Sequence, residues 1–292
     1  MDTPLATEPR CECHGHVIMD GVDFKSAVML HKYGPDLSAI RSALSDAEDA
    51  GVEYFRDGGD ALGVSAAARS VAAEEFNIEY VTPVFATHKK GRYGGIVGRA
   101  FENMADFRAL LADAKAAKAD FVKVMVSGIL EFSCFGLLSC PSLTAGEMAE
   151  IARAAHGEGF AVMAHCNGAD AVKAAVAAGI DSIEHGYYMD DAAIADLAAS
   201  DTIWVPTLAA TAGFIDRPGT GHGVAARIVA DQQAKLARAS ELGAKIASGS
   251  DAGAFGVPHA AALEMELKLL SFLSVERVEA ANSELRRRFR RA

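Results

Sequence analysis

The feature that most constrains this chain is an alternation of two patterns. Eight short apolar runs, near 11–19, 52–57, 78–86, 121–127, 160–166, 180–185, 202–207 and 245–251, are each followed by a stretch with helical spacing. Continuous apolar runs of this length suit strands buried on both faces, as parallel strands are. The intervening stretches, 36–50, 61–76, 104–118, 144–158, 168–178, 190–199, 223–243 and 259–290, are rich in Ala, Leu and Glu and predict amphipathic helices. Thr144 with Glu147 three residues later forms a capping box, and Gly159 and Gly179 stop the helices that precede the next strands. Eight β/α units in 292 residues predict an α/β fold, a closed (β/α)8 TIM barrel, spanning 1–292 as a single domain. No Gly-x-Gly-x-x-Gly turn follows the first run, which argues against a dinucleotide site.

Charge and composition exclude several classes of function. A formal charge of −11 disfavours nucleic acid and anionic membrane as partners, since both demand a basic surface. The basic run Arg286 to Arg291 reads as a solvated helix end, where cations complement the backbone dipole. No stretch approaches the ~18 apolar residues of a membrane span, and the opening segment lacks the regions of a signal peptide. The expectation is a cytoplasmic protein that self-associates as a homo-oligomer. An odd set of cysteines, Cys11, Cys13, Cys134, Cys140 and Cys166, argues for free thiols rather than a disulfide framework. Cys11 and Cys13 read as buried bystanders, because a structural zinc cluster needs a second ligand pair at finger-like spacing.

Chemistry-bearing residues fall where a barrel would use them. His14 and His16 close the first run, Lys123 lies inside the fourth, His165 closes the fifth, His185 the sixth and Asp251 the eighth. Active sites of this fold form at the ends of the strands, so all six converge at one mouth. His14 and His16, two apart on a strand, point the same way and can chelate one ion. Lys123 within Phe121-Val122-Lys123-Val124-Met125-Val126 is desolvated, which lowers its pKa and makes it neutral enough to react with carbon dioxide.

These residues resemble those of the metal-dependent amidohydrolase superfamily, in its binuclear prolidase-like and Xaa-dipeptidase-like branch. The resemblance runs from Cys13-His14-Gly15-His16 through Val122-Lys123-Val124, Ala164-His165-Cys166-Asn167-Gly168-Ala169, Ser182-Ile183-Glu184-His185-Gly186 and Val205-Pro206-Thr207-Leu208 to Ser248-Gly249-Ser250-Asp251-Ala252-Gly253. It implies two divalent metal ions, of which zinc is the expected kind. His14, His16 and Asp251 would hold one, His165 and His185 the other, and a carbamate on Lys123 formed from CO2 would bridge them together with a hydroxide. Asp251 and Lys123 are then the catalytic pair, Asp251 shuttling a proton from water to the leaving amine. Deaminase-like members lack the bridging lysine, so Lys123 points to hydrolysis of an amide, ester or carbamate. The implied activity is cleavage of a C–N bond in an N-acyl amino acid, dipeptide or cyclic amide. Carbamate or ester (lactone) hydrolysis on the same site is the alternative, and a non-catalytic barrel subunit is the rival from another class. Two departures accompany the likeness. Thirteen residues precede His14 and about forty follow Asp251, which reads as a barrel without the usual flanking β-sandwich. Ser127-Gly128-Ile129 also stands where prolidase-like relatives often carry Ser-Gly-Gly.

Substrate-binding candidates come from the loops. Thr87-His88-Lys89-Lys90-Gly91-Arg92-Tyr93 is locally basic, with His88 and Arg92 available for a substrate carboxylate. Tyr187 and Tyr188, beyond His185, are placed to orient a carbonyl. The segment Ile129 to Leu138 is unusually apolar for a loop and predicts a covered wall or lid over an apolar group, or a subunit contact. Gly213 to Gly223, with Pro218, reads as a mobile loop after the seventh strand. His31, His88, His156, His222 and His259 have no place in the ligand pattern, although His259 lies near enough to the last helix start to reach the site.

Overall fold

A computed structural model describes residues 10–290 except 216, 218 and 222. The opening segment 1–9, Pro218, His222 and Arg291 therefore lie outside the described residues. The strands are β1 (Cys11–Gly15), β2 (Tyr54–Asp57), β3 (Glu79–Val81), β4 (Ala86–Lys89), β5 (Gly98–Phe101), β6 (Val122–Met125), β7 (Val162–Cys166), β8 (Ser182–His185), β9 (Ile203–Val205) and β10 (Lys245–Ile246). The helices are α1 (Phe24–Leu30), α2 (Leu37–Asp49), α3 (Val64–Glu75), α4 (Met104–Ala116), α5 (Ala145–Gly157), α6 (Ala169–Ala177), α7 (Asp191–Ala198), α8 (Leu208–Ala212), α9 (Val224–Glu241), α10 (Ala262–Leu269) and α11 (Val275–Arg288).

Every strand ladder is parallel, in the orders β1-β2-β3 and β10-β9-β8-β7-β6-β4-β5. The two sheets meet at both seams. On one side the Cys13 amide donates to Ser248 O (3.0 Å), the Asp251 amide donates to His14 O (2.7 Å), and Gly15 bridges Ala252. On the other, the Asp120 amide donates to Thr82 O (3.0 Å). The architecture is an α/β (β/α)8 barrel, with β1, β2, β3, β6, β7, β8, β9 and β10 as its staves.

Two differences from the sequence reading have plain causes. The third expected strand is broken at Pro83, whose ring removes a backbone donor, and it resumes as β4, which acquires β5 as an additional partner. The expected helix 259–290 is two helices. Ser274 accepts from the Arg277 amide as the N-cap of α11, so the chain turns between α10 and α11 although the apolar spacing continues. The capping box at Thr144 and Glu147 is present at α5.

Packing is layered. Residues of α4 to α7 and α9 bury one apolar cluster against the outside of the staves. A second cluster, containing Cys11, Cys13, Tyr54, Phe121, Met163 and Ile203, fills the barrel, and Leu285 and Phe289 from α11 and its end close the floor. With the floor plugged, ligands reach the barrel only from the opposite, C-terminal mouth. All five cysteines are free of disulfides, and Cys11, Cys13 and Cys166 are buried. Among the described residues no helix is long and apolar enough to cross a membrane.

Candidate active site

Four imidazoles, one amine and one carboxylate meet at that mouth. The Lys123 ammonium nitrogen, on β6, lies 3.1 Å from His14 Nε2 and 3.4 Å from His16 Nε2. Asp251 Oδ1 lies 3.7 Å from His14 Nε2 and 3.6 Å from His16 Nε2. One ligand atom each from His14, His185 and Asp251 fall within 4.8 Å of one another. The His165 ring centre is 4.5 Å from that of His185, which is 5.0 Å from that of His14. All six expected ligand residues are thus gathered in one place.

The strand ends that deliver them are unusual. His185 (φ 69°), Thr207 (φ 50°) and Asp251 (φ 61°) all occupy the left-handed region, which is costly for residues with a Cβ. Surrounding bonds hold them there. His185 O accepts from Trp204 Nε1 (2.9 Å) and Gln232 Nε2 (2.5 Å), and Thr207 Oγ1 lies 2.6 Å from His185 Nδ1. The backbone is thereby turned so that the His185 and Asp251 side chains face the centre.

Protonation follows from burial. Desolvation, reinforced by Lys123, holds His14, His16 and His185 well below the ordinary imidazole value and brings His165 to about 3. All four rings are neutral at pH 7, each with one nitrogen lone pair. For His14 the tautomer is set by Glu184 Oε2, which accepts from Nδ1 at 2.8 Å and leaves Nε2 unprotonated toward Lys123 and Asp251. For His165, Nε2 donates to Gly128 O (3.1 Å), so Nδ1 carries the lone pair. Lys123 is 1% exposed, and burial takes its pKa down to about 8 despite Asp251 and Glu184. Burial raises Asp251 to about 6, partly offset by Lys123.

This donor set fits divalent metal. Neutral imidazole nitrogens with carboxylate oxygen suit zinc and related ions, and the separations quoted can be spanned by bonds of ~2.0–2.2 Å to a common ion. The His14 and His16 lone pairs face the Lys123 nitrogen, and a divalent ion would take them directly.

Three supporting residues escaped the sequence reading. Gly58 abuts the centre so closely that a Cβ there would lie 2.3 Å from His16 Cε1 and 2.6 Å from Lys123 Nζ. Asp57 accepts from the Val17 amide (2.9 Å), the Gly59 amide (2.6 Å) and Tyr80 Oη (2.6 Å), fixing the chain after His16. Glu184, beside a ligand-type histidine in an apolar strand, was legible as a charged residue that needed a partner. That partner is Arg56, whose Nη2 lies 2.8 Å from Glu184 Oε1.

Above the six side chains is a cavity of about 580 Å³. Its wall includes Ile129, Leu130 and Phe132, so the apolar segment after β6 covers the site as a wall, and Leu130 bridges Leu138 within it. Of the substrate-binding candidates, Tyr187 and Arg92 line the cavity and His88 and Tyr188 do not. Tyr187 Oη donates to Thr207 O (3.1 Å) and accepts from Thr211 Oγ1 (2.6 Å). Arg92 Nη1 donates to Ser142 O (2.7 Å), tying the loop after β4 to the start of α5. His88 is buried beneath Gly94, and Tyr188 packs edge-on against Phe135. His259 stays behind the site, its Nε2 2.9 Å from Met19 O.

Comparison with known proteins places this geometry. The family model described as "Amidohydrolase family" matches residues 38–286. Among solved structures, a Xaa-Pro dipeptidase with bound methionine superposes with a TM-score of 0.74 at 21% identity, covering 97% of this chain and 76% of that one. A prolidase complexed with N-methylphosphonate-L-proline gives 0.74 at 19% identity, over 99% and 79% of the two chains. The A. niger ochratoxinase gives 0.75 at 18%, over 94% and 69%. At these identities the likeness is one of fold. An uncharacterized protein of Mycobacterium tuberculosis (strain ATCC 25618 / H37Rv) is 36% identical over 105 residues, which is 34% of this chain and only 28% of that protein's length.

Proposed function

The chain belongs to the amidohydrolase family, and from that premise we propose that it is a metal-dependent hydrolase, one catalytic barrel, that cleaves the C–N bond of a small amide. The carrying observation is the cluster itself: four neutral imidazoles and Asp251 around a buried Lys123 at the base of a largely apolar cavity. In this reading His14, His16 and Asp251 hold one divalent ion and His165 and His185 a second, zinc being the ion best matched to the donors. Bound there, the ions supply Lewis-acid polarisation of the scissile carbonyl and a nucleophile from water at neutral pH.

The residues of the chain do the rest. With its pKa at about 8, roughly a quarter of Lys123 is neutral at pH 7.5, against about one part in a thousand for an ordinary lysine. The neutral amine adds to CO2, forming an N–C bond and losing one N–H proton, and the carbamate presents two oxygens that share one negative charge. Asp251 takes a proton from water and returns it to the departing amine. Glu184 holds the His14 ring in register. The apolar wall at Ile129, Leu130 and Phe132 excludes water from around the substrate, which strengthens each electrostatic interaction inside.

Metal analysis with turnover tests the reading. Purified protein is expected to carry about two divalent ions per chain and to hydrolyse members of a panel of N-acyl amino acids and dipeptides. Chelation should abolish the rate and lower the melting temperature, and added zinc should restore both. A fully loaded protein inert toward amides, carbamates and esters alike would instead support a non-catalytic barrel. Gly58→Ala gives a second expectation. Its new methyl group displaces His16 and Lys123, so metal content should fall and kcat drop about a hundredfold, while the circular dichroism spectrum stays that of the folded barrel.

A further inference from the structure

The outer half of the cavity wall is aromatic, with a cation at its rim. Phe132 stacks on Phe214 with ring centres 4.3 Å apart and planes 17° from parallel, and Phe214 meets Phe255 at 5.2 Å. The Arg217 guanidinium lies 3.7 Å from the centre of the Phe255 ring and 5.0 Å from that of Phe214. The three loops that carry these rings are locked together. The Gly221 amide donates to Phe132 O (3.0 Å), and a Cβ on Gly213 would lie 2.7 Å from Phe255 O. The described residues of the Gly213 to Gly223 segment, read from the sequence as a mobile loop, thus touch both neighbouring loops.

Two rings thus hold the guanidinium carbon at the rim, and a guanidinium fork can take a carboxylate through two parallel bonds. Arg217 is exposed, and among the described residues its side chain makes no ion pair. The chain carries a net charge of −11, yet outside the six site residues the charged groups among the described cavity lining are Arg92 and Arg217, both cationic. A ligand with an apolar body and one anionic end satisfies both walls at once.

Direction comes from Asp251. Asp251 and Phe255 line the same cavity and are joined by a tight turn in which the Ala254 amide donates to Asp251 O (2.9 Å), so a group departing beside Asp251 as an amine is the part of the substrate nearer the rings. We propose that the released amine is an aromatic or large aliphatic α-amino acid, its side chain among Phe132, Phe214 and Phe255 and its carboxylate on Arg217. This rests on the hydrolase reading above and narrows it to N-acylated hydrophobic amino acids with a free carboxylate.

The test uses zinc-loaded full-length protein and three acetamides: N-acetyl-L-phenylalanine, N-acetylphenethylamine, which lacks the carboxylate, and N-acetylglycine, which lacks the ring. The first is expected to exceed each of the others by about a hundredfold in kcat/KM. Arg217→Ala should bring the ratio of the first to the second near unity, and Arg217→Lys should keep about a tenth of the preference, a point charge replacing the fork. Phe214→Ala should shrink the ratio of the first to the third. An unaltered acid preference in Arg217→Ala, or a wild-type preference for N-acetylphenethylamine, overturns the assignment. Calorimetric binding of L-phenylalanine to wild type and Arg217→Ala separates the two levels. Binding that depends on Arg217 without turnover of any amide keeps the subsite and removes the hydrolase. Turnover of amides with no dependence on Arg217 keeps the hydrolase and removes the subsite, and neither binding nor turnover removes both.

Discussion

Replacing Lys123 by alanine is expected to lower kcat/KM about a thousandfold or more and to cut the metal content of the purified protein. Lys123 is enclosed by His14, His16 and Asp251, with its nitrogen 3.1 Å and 3.4 Å from the two imidazole nitrogens. As a bare cation in that position it would repel any divalent ion, whereas the proposed carbamate would complete the donor set. Metal-supplied stabilisation of transition-state charge amounts to several kcal/mol, and each ~1.4 kcal/mol is tenfold in rate. Alanine leaves a space of side-chain size lined by the same nitrogens, so acetate or propionate at high concentration should restore part of both metal binding and rate. Lys123→Arg offers the contrast. Guanidinium remains protonated and cannot add CO2, so this variant should bind metal no better than alanine and gain nothing from acetate. A Lys123→Ala protein with full metal and full rate would remove the bridging role altogether.

How far the sequence reaches depends on the distance over which a residue acts. The six ligand-type residues were legible because each interrupts or closes an apolar run, and a polar group in a buried parallel strand has to face something. His14 and His16 are related by the two-residue repeat of one strand, which needs no tertiary knowledge. The apolar segment Ile129 to Leu138 was legible in part: Ile129, Leu130 and Phe132 line the cavity, but Ile129 and Leu137 are exposed rather than covered. Gly58 was not, because in Asp57-Gly58-Gly59 it reads as a turn glycine, whereas its use is close approach to Lys123 and His16. The basic loop at His88 and Arg92 misled in part. Ala86–Lys89 continues the broken third stave as β4, which buries His88. The aromatic group at Phe132, Phe214 and Phe255 draws one ring from each of three loops, and no periodicity in the chain relates them. Arg56 lay equally out of reach, being joined to Glu184 across 128 positions.

Arg56 is also where the largest stability effect is expected. Its side chain is fully buried inside the barrel, with Nη2 at 2.8 Å and 2.9 Å from the two Glu184 oxygens, Nη1 donating to Ser182 Oγ (2.9 Å) and Nε to Cys13 O (2.6 Å). The guanidinium lies 4.4 Å from the centre of the Phe289 ring, which closes the floor. Arg56→Met keeps roughly the volume but strands Glu184, and breaking one partner of a buried pair costs about 3–5 kcal/mol, or a fall of about 5–8 °C in melting temperature for a chain of this length. Burial already raises the Glu184 pKa and Arg56 opposes that rise, so its loss drives the carboxyl toward the neutral acid. His14 Nδ1 then faces a weaker acceptor, and metal affinity should drop about 10- to 100-fold, the usual cost of losing a group that orients a ligand. Arg56→Met combined with Glu184→Leu separates the two roles. An apolar pair of similar volume should recover most of the melting temperature, because no unpaired charge remains. Metal affinity should stay low, because leucine offers His14 nothing to hold its tautomer. If affinity returns together with stability, Glu184 serves only the core. If stability stays lost in the double variant, the cost lies in the bonds of Arg56 to Cys13 and Ser182 rather than in a stranded charge.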